Sequence, residues 1–110
     1  MWNEADDRER RILVEDLETV RLEWRDRIKA RRDSAAHRLV DVLLRQPVID
    51  SAAAATQLGI SAVNAQVAIN RLVDADILNQ ISTGRRNRIW LAKDVVRVLD
   101  EFGARAKRRR

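Results

Sequence analysis

The fold of this chain is decided by residues 50–72, which read DSAAAATQLGISAVNAQVAINRL. The Ala-rich segment 52–58 predicts a short helix that is capped by Asp50 or Ser51. Gly59 follows at the position where helices commonly end in the left-handed conformation. Ser61, preceded by an apolar residue, then has the pattern of a new N-cap, and we expect a second helix over residues 62–75. The sequence therefore predicts two adjacent helices joined by a sharp turn.

The second helix of this pair has two different faces. Spacing at 100° per residue predicts one small and aliphatic face that should be buried, formed by Ala62, Ala65, Ala68, Ile69, Leu72 and Val73. The opposite face should be exposed and carries Val63, Asn64, Val67, Asn70, Arg71 and Asp74.

Upstream of the pair, Ser34 is a predicted N-cap for a helix that runs to Arg45. Pro47 ends that helix, because the residue before a proline avoids the α region. We expect Val48–Ile49 to be a short extended segment.

Downstream of the pair, residues 77–82 and 88–91 predict two short strands that form a hairpin across a polar, Gly-containing turn. Trp90 should face inward on the second strand. A last helix should run from Lys93 to about Phe102 and end at Gly103.

The N-terminal region, from Glu4 to about Arg32, contains neither Gly nor Pro and predicts one long helix. A single apolar stripe follows it at helical spacing, formed by Leu13, Leu17, Val20, Trp24 and Ile28. This stripe must pack on the rest of the domain, on a second copy of the chain or on another domain, and we assign it as a candidate interface.

The composition limits the classes of function. The net charge is +5, and the positive charge is concentrated in Arg85, Arg86 and Arg88 and in the last six residues, a pattern that favours an anionic partner such as nucleic acid. For the C-terminal run, a solvated, frayed tail is the alternative. The chain contains no Cys and no apolar run long enough to cross a membrane, so we expect a cytoplasmic protein without disulfides.

Together these elements predict a mainly α fold, a winged helix-turn-helix with a two-stranded wing and a long N-terminal helix. We divide the chain into the long amphipathic helix at 1–33, the winged helix-turn-helix domain at 34–104 and a basic tail at 105–110.

Several segments resemble the C-terminal domain of Fic-family proteins, over roughly Val20 to Phe102. They are LRQPVI at 44–49, LGIS at 58–61, AINRL at 68–72, IL at 77–78 and GRRNRIW at 84–90. The resemblance implies a winged helix that follows a helical catalytic domain in the family. The family's nucleotidyl transfer depends on a His-Pro-Phe-x-x-Gly-Asn-Gly-Arg loop, which this chain lacks.

No catalytic residue, metal site or cofactor is predicted in this chain, and no small-molecule ligand is expected. Its single histidine, His37, lies among apolar residues on a predicted helix, as a structural histidine does. The three glycines do not form a phosphate-binding loop.

Double-stranded DNA is the first predicted partner. The side chains of Asn64, Gln66 and Asn70 could read base edges. Contacts with the phosphate backbone are expected from Ser61, Arg71, Arg85, Arg86 and Arg88. A solvated hairpin tip is the alternative for the three arginines of the wing.

The competing hypothesis is a protein-interaction module, which forms a homodimer or docks on a Fic catalytic domain. Val63 and Val67 on the exposed helix face favour it, as do Trp2 and Trp24, because Trp is enriched in interface cores. Asp74 also places a negative charge beside the predicted DNA-reading face.

Overall fold

The computed structural model describes residues 4–108, and the side chains of residues 6–108. This part of the chain is mainly helical, with a small antiparallel sheet. The helices are α1 (Glu4–Arg27), α2 (Ala35–Arg45), α3 (Ser51–Leu58), α4 (Ala62–Asp74) and α5 (Lys93–Arg108). The strands are β1 (Val48–Ile49), β2 (Asn79–Gln80) and β3 (Trp90–Leu91).

The turn between α3 and α4 has the predicted form. The carboxylate of Asp50 accepts a hydrogen bond from the Ala53 N–H at 2.8 Å and caps α3. Gly59 adopts the left-handed conformation at φ 67°, and the Ser61 hydroxyl accepts from the Asn64 N–H at 3.1 Å to cap α4. The prediction of two helices separated by a sharp turn is confirmed.

Helix α4 buries its small and aliphatic face against α2 and α3. Ala65, Ala68, Ile69 and Leu72 are at most 2% exposed, as predicted. Ala62 and Val73 were assigned to the same face but lie at its edges and are exposed. The opposite face of α4 is exposed along its whole length.

The sheet has three strands in the order β1-β3-β2, whereas the sequence predicted two. Residues 48–49, expected only to be extended, pair with β3, and the Ala92 N–H donates to the Pro47 carbonyl at 2.8 Å beside them. The first predicted hairpin strand also begins late. Ile77 and Leu78 both donate their N–H groups to the Leu72 carbonyl, so they continue the turn after α4 and bury their side chains completely.

The apolar stripe of α1 packs into the core of its own chain. Val20, Trp24 and Ile28 are at most 6% exposed, so their assignment to an interface with a partner is wrong. Leu13 and Leu17 are half-buried against the same core. Of the three possibilities for this stripe, packing on the rest of the domain is the one observed, and it removes these side chains from water.

Helix α1 ends at Arg27, five residues before the predicted end. Three side chains make hydrogen bonds around this end of the helix. Arg27 donates to the carbonyls of Ala75 and Asp76 at 3.3 Å. Within the connection to α2, the Lys29 carbonyl accepts from Arg71, and the Ala30 carbonyl lies 3.2 Å from Nε2 of His37.

Helix α5 continues through Gly103 to Arg108, so the predicted end at Gly103 is wrong. Gly103 is not among the positive-φ residues and fits a helix. Beyond it, Nε of Arg105 pairs with Glu9 of α1 at 2.8 Å, an ion pair that is mostly buried. Residues 105–108 of the predicted basic tail are therefore helical, while Arg109 and Arg110 lie outside the described residues.

None of the helices in the described part of the chain combines the length and apolar character needed to cross a membrane.

The turn after α4 contains Asp76, which adopts a positive φ of 58°. Its carboxylate accepts from Nζ of Lys93 at 3.1 Å, and this hydrogen bond together with the positive charge of Lys93 lowers the pKa of Asp76 below its ordinary value of 3.8. A carboxyl group with a lowered pKa stabilises the fold above its unfolded-state pKa, and this contribution is lost as the pH falls through the folded-state value.

We expect Asp76→Asn to lower the melting temperature at pH 7 by a small amount, because the amide keeps the positive φ accessible but removes the charge. The difference between variant and parent should disappear as the pH falls below the lowered pKa. Thermal melts followed by circular dichroism at neutral and acidic pH test this, and a difference that persists in acid would contradict it.

Among the described side chains that are fully buried, that of Trp24 is the largest, and its Nε1–H donates to Asp94 of α5 at 2.9 Å. We expect Trp24→Ala to cost about 3–5 kcal/mol of unfolding free energy through the lost burial and the cavity it leaves. Leu22→Ala on the same helix, at a 55% exposed position, should change stability by less than ~0.5 kcal/mol. Urea unfolding followed by circular dichroism measures both, and equal losses would refute the described packing of α1.

Candidate nucleic-acid interface

The exposed face of α4 carries three of the eight predicted DNA-contacting side chains. Asn64, Asn70 and Arg71 lie along it with Val63 and Val67, which are 73% and 48% exposed. The buried face fixes the rotation of the helix, so these side chains point away from the core together. Ser61 lies exposed at the N-terminus of α4. Its oxygen accepts the capping bond, which leaves the hydroxyl proton free to donate to a phosphate.

Gln66 has a different position from the one predicted. It is half-buried, and its Oε1 accepts a 2.6 Å hydrogen bond from the Ser51 hydroxyl of α3. Its Nε2 donates to Oδ1 of Asn70 at 2.9 Å. Both ends of the Gln66 amide are thus used within the chain, and Gln66 orients Asn70 instead of being free to read a base edge.

Asn70 keeps the groups that a base contact requires. Its Nδ2 makes no bond to any residue that the structure describes, and its Oδ1 has a second lone pair besides the one used by Gln66. The two consecutive hydrogen bonds from Ser51 to Gln66 and from Gln66 to Asn70 therefore restrict the side chain of Asn70 without exhausting its hydrogen-bonding capacity. A side chain oriented before binding loses less conformational entropy when it binds.

The side chain of Arg71 lies at one side of this face. Its NH1 donates to the Lys29 carbonyl at 3.3 Å, across to the connection between α1 and α2. A guanidinium has five donor hydrogens, so the group can still reach a phosphate with the others.

The loop between β2 and β3, residues 81–89, is braced by two polar side chains at its base. Nε2 of Gln80 donates to the carbonyls of Ser82 and Gly84 at 3.0 and 3.1 Å. The Ser82 hydroxyl accepts from the Ile89 N–H at 2.9 Å. Gly84 and Asn87 have positive φ values of 88° and 53°, which give the loop its tight shape.

The three predicted wing arginines divide into two groups. Arg85 and Arg86 are exposed, and neither makes an ion pair or hydrogen bond with the residues that the structure describes. The guanidinium of Arg88 instead lies over the ring of Trp90, 5.2 Å from its centroid. Trp90 is buried as predicted, so Arg88 is held against the base of the hairpin.

Sequence reasoning missed Gln80, Ser82 and Ser51, which position the predicted contact residues without belonging to a recognisable motif. Their roles depend on side-chain hydrogen bonds to loop carbonyls and to a neighbouring helix, and neither periodicity nor charge pattern reports such bonds. Within residues 6–108, no group of three or more His, Asp or Glu side chains could hold a metal ion.

We expect Gln80→Ala to loosen the loop while it leaves the fold intact, because two carbonyl contacts are lost from an exposed site. The measurement is the ¹⁵N heteronuclear NOE of residues 83–88, which should fall in the variant. Gln57→Ala, at an exposed position of α3, is the matched control and should leave those values unchanged. A loop that stays as rigid as in the parent would show that Gln80 does not brace it.

No family model matches the chain, and no curated protein sequence matches it. Among solved structures, the chain is similar to RV1404 from Mycobacterium tuberculosis, with 20% sequence identity and a TM-score of 0.48. That similarity covers 98% of this chain and 80% of the other.

Proposed function

We propose that this chain is a winged helix-turn-helix module that binds double-stranded DNA and has no catalytic activity of its own. In this proposal α3 and α4 form the helix-turn-helix, α4 enters the major groove, and the β2–β3 hairpin is the wing. The resemblance in sequence supports its being the C-terminal accessory part of a Fic-family protein.

The observation that carries the proposal is the combination of an exposed helix face that presents two amide side chains with unpaired cations on a braced loop. Asn64 and Asn70 supply amides of the type that bind adenine in the major groove. Arg85 and Arg86 have no internal acidic partner among the described residues, so two like charges lie adjacent in sequence on an exposed turn. A phosphate group would relieve that repulsion.

The arrangement predicts weak binding that rising salt weakens further, with a slope set by a small number of phosphate contacts. Few cations lie on the proposed contact surface, and the affinity of a protein for DNA rises with the number of phosphates it neutralises. Asp74 adds a negative charge at the end of the same helix face. The amides of α4 would therefore add selectivity to an electrostatic contact that is itself modest.

The absence of catalysis in the proposal rests on the position of the single histidine. His37 is 3% exposed, and its Nε2 lies 3.2 Å from the Ala30 carbonyl. This position fits a structural histidine, and it supports the proposed lack of catalysis beside the missing Fic loop.

The test is binding to random-sequence duplex DNA over a series of salt concentrations, measured by fluorescence anisotropy. Affinity should fall as salt rises, in proportion to the few phosphates that the surface neutralises. Changing Arg85 and Arg86 together to Ala should abolish most of the binding and make the slope of log K against log salt shallower by about 2, because each lost phosphate contact removes ~0.9.

The matched control is the double change of Lys107 and Arg108 to Ala, which removes the same charge from the exposed end of α5. It should weaken binding much less than the wing variant does. If the wing variant binds as the parent does, the wing is not a phosphate-binding element.

The second candidate function is docking on another protein, either a second copy or a Fic catalytic domain. The exposure of Val63 and Val67 on α4 favours it, because adjacent apolar side chains on one helix face suit a protein partner. Trp24 does not support this alternative because it is buried, and Trp2 lies outside the described residues. If the chain associates with a second copy or with a Fic catalytic domain independently of salt, and does not bind DNA, docking would be favoured.

A further inference from the structure

A groove of about 500 Å³ lies beside α4, between that helix, the N-terminus of α2 and the connection from α1. Its walls are mainly apolar and include Ala30, Ala35, Ile60, Val67 and Ala68. This volume lies within the range of small-molecule sites, which are likewise apolar with a few polar groups. Nothing in the sequence pattern predicted it, because its walls come from two stretches of sequence, residues 30–36 and 60–71, that only the fold brings together.

The polar groups along the groove leave hydrogen-bonding capacity unused. Ser34 stands at the N-cap of α2 but makes no capping bond, and its Oγ is buried without a partner among the described residues. The first N–H groups of α2, at Ala35 and Ala36, consequently lack a side-chain cap. These are donors at the positive end of a helix dipole.

The charges around the groove favour an anion. Arg31 and Arg71 both line it, and Arg71 uses only one described donor contact. Asp33 is the acidic residue among the lining side chains. It lies 3.8 Å from Arg31 in an exposed pair, with side chains 82% and 91% exposed respectively. Such a solvent-exposed ion pair contributes little to stability. It does not neutralise the positive end of α2 or the charge of Arg71.

We infer that this groove binds a small amphipathic carboxylate. The apolar body would lie against Val67, Ile60 and the alanines, and the carboxylate would accept from the N-terminus of α2, the Ser34 hydroxyl and Arg71. A carboxylate fits because it accepts several hydrogen bonds and suits the positive helix end. Apolar walls beside these donors select against a bare inorganic anion.

The groove shares side chains with the proposed DNA-contacting face. Asn64, Val67 and Arg71 line the groove and are also exposed on α4. A carboxylate seated there would cover Val67 and engage Arg71, so bound ligand and bound DNA compete. This regulatory consequence rests on the proposed function, whereas the binding site itself does not.

The first experiment measures ligand binding without DNA. 3-Phenylpropanoate is titrated into the ¹⁵N-labelled chain, and 3-phenylpropanamide serves as the uncharged analogue. We expect saturable shifts at residues 30–36 and 60–71 with a Kd of about 1 mM or tighter for the carboxylate. The amide should bind at least about tenfold more weakly, as expected when a charged hydrogen-bond acceptor is replaced.

Two Val→Glu variants on α4 distinguish the groove from the rest of the helix face. Val67→Glu places a negative charge in the groove wall and should weaken carboxylate binding by about tenfold or more. Val63→Glu, one turn earlier on α4 and outside the groove lining, should leave it within about twofold, because an exposed charge there is screened by solvent. Circular dichroism checks that both variants are folded.

The outcomes separate the two proposals. Absence of saturable binding, equal binding of carboxylate and amide, or equal losses in the two variants would each overturn the groove assignment. If the carboxylate binds as expected but the chain does not bind DNA, the ligand site stands and the proposed function fails. If both bind and the carboxylate does not reduce DNA affinity, the competition is refuted.

Discussion

The left-handed turn at Gly59 is the constraint on which the rest of the molecule depends. It sets the direction in which α4 leaves α3, and a residue with a Cβ would adopt its φ of 67° only at a cost. Small residues on both sides of the turn, Ala54 of α3 and Ala65 and Ala68 of α4, are buried and let the two helices approach closely. Because α4 is fixed in rotation by this packing, one definite set of side chains is left facing outward.

The remaining elements support that arrangement. Helix α1 crosses to α5, where Trp24 donates to Asp94 and Arg105 pairs with Glu9. Strand β1 joins the hairpin into a three-stranded sheet, which ties the loop carrying Arg85 and Arg86 to the segment just before α3. The proposed contact surface is therefore built on elements that are each buried on one side, the kind of support that positions a binding site well.

The sequence predicted the parts of the fold that follow from local chemistry. The capping of α3 by Asp50 or Ser51, the cap at Ser61, the turn at Gly59 and the centre of the buried face of α4 were predicted because each depends on residues a few positions apart. Features that depend on distant contacts were missed or wrong: β1 pairs with a strand some forty residues away, and α5 continues past Gly103 to the Arg105–Glu9 pair. For the candidate site, the types of residue were predictable from the sequence. The hydrogen bond between Gln66 and Ser51 and the stacking of Arg88 on Trp90 were not, because they are tertiary contacts.

Our central proposal is that DNA contacts the uncovered face of α4 and the braced loop. The most direct measurement is a map of ¹⁵N–¹H chemical-shift changes on adding duplex DNA at low salt. We expect changes concentrated in residues 61–71 and 82–88, with α1 and the exposed side of α5 unaffected. Changes centred on α1 and α5, or no changes at all, would contradict it.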